Sequence, residues 1–199
     1  MARAPSWSPD GRQLAVEVAK PGNAFVQHDI VVVDVDTGAV RPLLESSTWE
    51  GAPAWSPDGN RLAFNGRVDG SACMRLYLLD LGGGTPQQIT APDDAKCTSK
   101  NGDGDVWPAW SPDGKEIAFS RRYGDTERLE ILDVAPGDIY EWRTGPNPSG
   151  HPRWSPDGKF LLFEENLPGT GKVLDLLDLS THRFMRIDPN QGGRLADWR

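Results

Sequence analysis

The pentapeptide Trp-Ser-Pro-Asp-Gly stands at 7–11, 55–59, 110–114 and 154–158, and no other feature of the chain limits its fold so tightly. Its residue types describe a turn. Proline presets φ at the second position, Asp suits the third, and Gly takes the fourth, where a positive φ or a bulge is often required. A catalytic reading fails on proximity: Ser56 and Ser111 have no adjacent histidine, and a hydroxyl nucleophile needs a base within reach. Counted from the tryptophans, the spacings are 48 (7 to 55), 55 (55 to 110) and 44 (110 to 154), with 44 again to Trp198. A period of this size implies a solenoid or a propeller, and the content of one unit decides which.

After each turn comes a short apolar run: RQLAVEV, NRLAFNG, KEIAFSR and KFLLFEE. A second run ending near an Asp follows: IVVVDVDTG, LYLLDLGGG, LEILDVAPG and VLDLLDLST. A third, less apolar run lies around Leu43, Ile89, Glu141 and Met185, and a few residues ending at Trp open each unit. No segment keeps helical periodicity for ten residues, so helical repeats are excluded. Four short strands per unit predict an all-β fold, a β-propeller of four-stranded antiparallel blades, with the pentapeptide as the hairpin from first to second strand. The chain is read as one domain, 1–199, with units 1–48, 49–103, 104–147 and 148–191 and the first strand of a fifth at 192–199. Trp55, Trp110 and Trp154 are expected between blades, each worth roughly 2–3 kcal/mol of burial. The recurrent Asp34, Asp80, Asp133 and Asp178 are expected to bind the turn that follows them.

The pattern Pro-x-Trp-Ser-Pro-Asp-Gly, then Leu62-Ala63-Phe64 and Leu76-Tyr77-Leu78-Leu79-Asp80-Leu81, resembles the WD40-like (PD40) repeat of TolB-type β-propellers along essentially the whole chain. The resemblance implies a binding scaffold. TolB itself is a periplasmic protein that binds the peptidoglycan-associated lipoprotein, and similar propellers precede the hydrolase domain of prolyl oligopeptidase-type peptidases. Both chain ends read as the same strand type. This surplus strand predicts part of a larger ring, or an arc completed by another copy as a homo-oligomer; a small closed ring with a clasping last strand is the alternative.

The chain has 25% charged and 37% apolar residues, which is globular composition, and the opening residues read as fold rather than as a leader. No apolar run approaches the roughly 20 residues of a membrane helix, so membrane insertion is not expected. A net charge of −8 disfavours a nucleic-acid partner, whose phosphates are bound by displacing counterions with Lys and Arg.

The expected function is non-catalytic binding of a protein or small ligand through one ring face. In a propeller that face collects the loops from fourth strand to next blade and those between second and third strands. The residues placed there are Trp49, Glu50, Arg67, Asp105, Trp107, Arg121, Arg122, Tyr123, His151, Glu164 and Glu165; aromatic residues and Arg are frequent partner anchors. Packing between blades is the competing role for Trp49 and Trp107. No cofactor is expected apart from calcium: Asn101, Asp103 and Asp105 alternate with glycines and could offer oxygen ligands, although no Glu follows at EF-hand distance. Cys73 opens the third strand of its unit and Cys97 follows the fourth, so an antiparallel hairpin would bring them within disulfide reach. That bond would accord with a periplasmic or secreted protein, the cytoplasm being the other compartment open to the chain. PGTGKV at 168–173 lacks the glycine and hydroxyl residue of a phosphate loop. No Gly-x-Ser-x-Gly elbow occurs. The enzymatic alternative is the propeller portion of a peptidase, or a metal-dependent propeller lyase or hydrolase.

Overall fold

The structure, a computed structural model, describes residues 2–19, 28–44, 49–67, 72–97, 102–142, 149–169 and 171–187. They form four antiparallel sheets of four strands. The first contains β1 (Ala2–Trp7), β2 (Gln13–Ala19), β3 (His28–Asp34) and β4 (Val40–Pro42). The second contains β5 (Glu50–Trp55), β6 (Arg61–Gly66), β7 (Arg75–Asp80) and β8 (Gln87–Gln88). β9 (Gly104–Trp110), β10 (Glu116–Tyr123), β11 (Thr126–Asp133) and β12 (Ile139–Trp142) make the third. β13 (Ser149–Trp154), β14 (Phe160–Leu167), β15 (Gly171–Asp178) and β16 (Arg183–Arg186) make the fourth. Strands pair in chain order within each sheet, which is the blade of a propeller. The fifth unit's strand, 192–199, lies outside the described residues.

Each pentapeptide is a locked hairpin turn. In the second sheet Gly59 N donates to the Ser56 carbonyl at 2.9 Å, the Ser56 hydroxyl donates to Asp58 at 2.5 Å, and Arg61 N donates to Ser56 Oγ at 2.9 Å. Ser8–Asp10, Ser111–Asp113 and Ser155–Asp157 repeat the hydroxyl–carboxylate bond at 2.6, 2.7 and 2.6 Å. Those serine hydroxyls, then the backbone N–H two residues on, hold the four carboxyls below the usual range. The turn at the far end of each third strand is held by the recurrent Asp. Thr37 N donates to Asp34 at 2.8 Å, Gly82 N to Asp80 at 2.8 Å, Ala135 N to Asp133 at 3.2 Å and Ser180 N to Asp178 at 2.9 Å.

The core lies between consecutive sheets. Trp55, Leu62, Phe64 and Tyr77 of the second sheet pack on Ala15, Ile30 and Val32 of the first. Trp110, Ile117 and Phe119 pack on Ala63 and Leu76, and Trp154, Leu161 and Phe163 on Ala118, Leu129 and Ile131. The three tryptophans are 8–9% exposed, whereas Trp7, with no described sheet before it, is 58% exposed. Among the described residues, β5, β9 and β13 each pack on the preceding sheet, and no comparable packing joins the fourth sheet to the first.

Each first strand also carries a bulge that the sequence does not announce. Ala4, Ala52, Trp107 and His151, each just before a proline, have φ of 46°, 47°, 59° and 55°, and strand register shifts at each of them. Positive φ is uncommon outside glycine and costs on the order of 1–3 kcal/mol. Two of these residues have their N–H held by the preceding sheet: Ala52 N donates to Glu17 Oε2 at 3.1 Å and Trp107 N to Asn65 Oδ1 at 3.4 Å.

Candidate functional site

The bulges turn Trp107 and His151 toward the centre of the arc, where their rings meet with centroids 4.4 Å apart. This aromatic pair, with Glu164 and Lys172, lines two adjoining cavities. One, of about 850 Å³, follows the inner strands past Pro5, Trp7, Pro53 and Pro108. The other, of about 580 Å³, is a groove between the third and fourth sheets, lined by Trp107, Arg122, Glu127, His151, Glu164 and Lys172 among others. Its walls are the β10–β11 and β14–β15 hairpins, which both open on one side.

The groove carries both signs of charge on short tethers. Lys172 Nζ lies 2.6 Å from Glu164 Oε2, and His151 Nδ1 lies 3.4 Å from the same oxygen. Burial holds His151 below the usual imidazole range, against the pull of Glu164. Arg122 Nε is 3.8 Å from Glu127 Oε2, a loose pair, and burial raises the Glu127 carboxyl. Gly150 makes room for Glu127: a Cβ there would sit 2.6 Å from Glu127 Oε1. Glu165, also lining the groove, is held by Arg186 at 2.8 Å. The Thr126 hydroxyl is turned away to the Tyr123 carbonyl. The groove thus offers an aromatic platform, a lightly held guanidinium and several carboxylates, a set suited to gripping a polar ligand.

Five of the expected face residues line this groove: Trp107, Arg122, His151, Glu164 and Glu165. Trp49 lies elsewhere, its ring 5.7 Å from that of His28. Arg67 is half-buried, and its N–H donates to the Trp49 carbonyl. Tyr123 is occupied by the segment after β8, accepting from Asp93 N at 2.9 Å with Lys96 5.5 Å over its ring.

Glu50 and Asp105 require correction, because both are 0% exposed and cannot meet a partner. Asp105 is paired across the strands with Arg121, which donates to it at 2.6 and 3.0 Å and also contacts Glu130 at 2.8 Å. This interior ion network also bears on calcium. Both Asp105 oxygens are taken by Arg121, Asp103 Oδ1 accepts from Gly124 N at 3.0 Å, and Asn101 lies outside the described residues. Cys73 and Cys97 form a disulfide with Cα atoms 5.5 Å apart.

Sequence reading missed Glu127 and Lys172. Both stand in second-to-third-strand hairpins, the very loops assigned to the face, and counting back from the third-strand Asp would have found them. No helix among the described residues is long and apolar enough to cross a membrane.

The family model of the TolB beta propeller domain matches residues 1–106. The chain belongs to the TolB β-propeller family. Similar solved structures include a putative TolB from Agrobacterium tumefaciens, with TM-score 0.78 and 22% identity, over 96% of this chain and 62% of that one. TolB from Acinetobacter baumannii gives 0.77 and 20%, over 95% of this chain and 44% of that one. A puromycin-hydrolyzing peptidase of Mycobacterium tuberculosis gives 0.72 and 18%, over 98% of this chain and 30% of that one. This TolB-type propeller therefore spans less than two thirds of the length of each. No curated protein matches its sequence.

Proposed function

We propose that this TolB-type propeller is a binding module that grips a protein segment or small polar ligand in the groove between its third and fourth sheets, with no chemical step of its own. The observation that carries the reading is the Trp107–His151 pair, a rigid aromatic wall beside the lightly paired Arg122 and Glu127. Rigid aromatics with a guanidinium nearby are what interface hot spots are made of. The His151 ring lies 3.4 Å from the Glu164 carboxylate, but among the described residues that line the groove the Thr126 hydroxyl donates to the Tyr123 carbonyl and not to that ring. The second reading, the propeller portion of a peptidase, draws on the likeness to the puromycin-hydrolyzing enzyme. A periplasmic or secreted location is supported by the Cys73–Cys97 bond.

The family resemblance makes the soluble domain of a peptidoglycan-associated lipoprotein the first partner to titrate. Calorimetry is expected to show binding to the native chain and at least a tenfold loss with Trp107→Ala or Arg122→Ala. Equal affinity in all three proteins would move the site off the groove, and turnover of an aminoacyl amide by the purified chain would replace the binding reading with the enzymatic one.

A further inference from the structure

The β10–β11 hairpin, which brings Arg122 and Glu127 to the groove, turns through Gly124 and Asp125, with Tyr123 and Thr126 paired across its end. Gly124 has φ of 58°, as the first position of a two-residue hairpin loop of this hand requires. None of the residues from Arg122 to Arg128 is buried, so core packing does not fix the tip. Two sets of polar contacts reach it, and both start at Cys73, which is 0% exposed. In the first, the neighbouring Met74 bridges to Gly104: Met74 N donates to the Asp103 carbonyl at 2.7 Å and Asp105 N to the Met74 carbonyl at 2.9 Å. The approach leaves no room for a Cβ on Gly104. Asp103 Oδ1 then accepts from Gly124 N at 3.0 Å, at the turn itself.

The second set runs through the disulfide to Cys97 and back along the segment 93–97. Asp94 of this segment accepts from Arg75 at 2.7 Å, Asp93 N donates to the Tyr123 hydroxyl at 2.9 Å, and Lys96 Nζ stands 5.5 Å from the centre of the Tyr123 ring, within cation–π reach. The single 3-10 turn Asp94–Lys96 contains no buried residue, and no residue of 93–97 belongs to the apolar clusters between the sheets. Its place therefore depends on the disulfide and on these polar contacts, the kind of segment that opens locally. Tyr123 and Arg122 are consecutive in a strand, so their side chains leave it on opposite faces. A grip on Tyr123 from one side steadies Arg122 on the other, where its own partner Glu127 holds it only loosely at 3.8 Å.

We propose that the segment 93–97 is a strap that positions the third-sheet wall of the groove, with Cys73–Cys97 as its clasp and Tyr123 and Asp103 as positioning residues, so that the groove is fully built only in the disulfide-bonded protein. Thiol–disulfide exchange then regulates the site. A dithiol that reduces the bond gives two electrons and two protons to the two sulfurs, leaving two thiols, and closes into its own disulfide. Cys97, unlike Cys73, is only half-buried and is the sulfur such a reductant reaches. The Cys73 end stays pinned through Met74 and Asp103, whereas Asp93 and Lys96 are released from Tyr123. Arg122 loses its backing while the core between the sheets stays intact. That the groove takes a ligand rests on the reading above; that the strap holds the hairpin tip does not.

Amide hydrogen exchange needs no ligand and decides the matter. In the native chain treated with dithiothreitol, and in Cys73→Ala with Cys97→Ala, the amides of 121–128 are expected to exchange about tenfold faster, as the loss of roughly one hydrogen bond gives, while those of β6 keep the native rate. Tyr123→Phe keeps the disulfide and removes only the hydroxyl that Asp93 N uses, so it is expected to speed the same amides and serves if the reduced protein unfolds. Native exchange at 121–128 in Tyr123→Phe, or a rise there matched in β6, overturns the proposal; so does native exchange at the tip of a reduced, folded chain. Calorimetry with the soluble domain of a peptidoglycan-associated lipoprotein is expected to show affinity lowered about fivefold or more on reduction, and an unchanged affinity also overturns it. A native chain that does not bind that domain counts against this ligand of the groove, and the exchange rates still decide the strap.

Discussion

Trp154 donates its indole N–H to the carbonyl of Ala109 at 3.0 Å, so the residue that closes one sheet's first strand is anchored on the backbone of the sheet before it. Burial and hydrogen bond act at the same point. Trp154→Ala is expected to destabilise by about 3–5 kcal/mol, as large aromatic deletions in cores do, and Trp110→Ala to match it. Trp7→Ala, at an exposed copy of the position, is expected to change stability by no more than about 0.5 kcal/mol. Urea denaturation followed by circular dichroism separates the three; an equal cost at Trp7 would mean that its face is already covered in solution.

The repeated turn offers a second check. Ser56 is fully buried, and its oxygen both donates to Asp58 and accepts from Arg61 N. Ser56→Ala removes both bonds and strands the Arg61 N–H, so a loss of about 1–2 kcal/mol is expected. Ser56→Thr keeps the hydroxyl, and recovery of part of that loss in thermal melts would assign the cost to the bonds.

Much of this fold is written in local pattern. The turn residues, the strand lengths and the tryptophan period are short-range signals, and the sheets formed where the pattern put them. What escaped was set by neighbours. Four tryptophans look alike in sequence, yet Trp7 differs because burial depends on whether a sheet precedes it. Glu50 and Asp105 read as surface charges and proved interior, Asp105 because Arg121 lies directly across the strand pair. A residue before proline normally avoids positive φ, so nothing in Trp107 or His151 announced the bulge that makes them a wall. Glu17 and Asn65, which hold such bulges at other joints, act across sheets and leave no short-range trace.

The disulfide closes a loop with a sequence separation of 24 and ties the start of the third strand of the second sheet to the segment that reaches Tyr123. Chain-entropy reasoning gives about 3 kcal/mol for such a loop. Reduction, or Cys73→Ala with Cys97→Ala, is expected to lower the melting temperature by several degrees. Alkylation of unreduced, denatured protein should find no free thiol, and finding two would contradict the bond.

Glu130 sets the pH dependence. Its carboxyl is buried and meets Arg121 Nη1 at 2.8 Å without the alignment of a hydrogen bond, while Asp105 takes that guanidinium's better-directed N–H groups. Burial is the main cause and Asp105 and Glu141 add repulsion, which Arg121 and Arg128 only partly offset, so the Glu130 pKa is pushed up to about 7 from 4.5. The folded state then holds a proton between these values that the unfolded chain has released. Stability from this group is accordingly greatest below pH 4.5 and declines as pH rises through 7, by on the order of 2–3 kcal/mol. The exposed turn aspartates, with lowered pKa values, act in the opposite sense and only at lower pH. Glu130→Gln keeps the shape and removes the titration, so it is expected to exceed the native chain in stability at pH 8 and to flatten the profile between pH 5 and 8. Chemical denaturation across that range, with the two proteins side by side, checks it; parallel profiles would mean that Glu130 stays ionised beside Arg121 throughout.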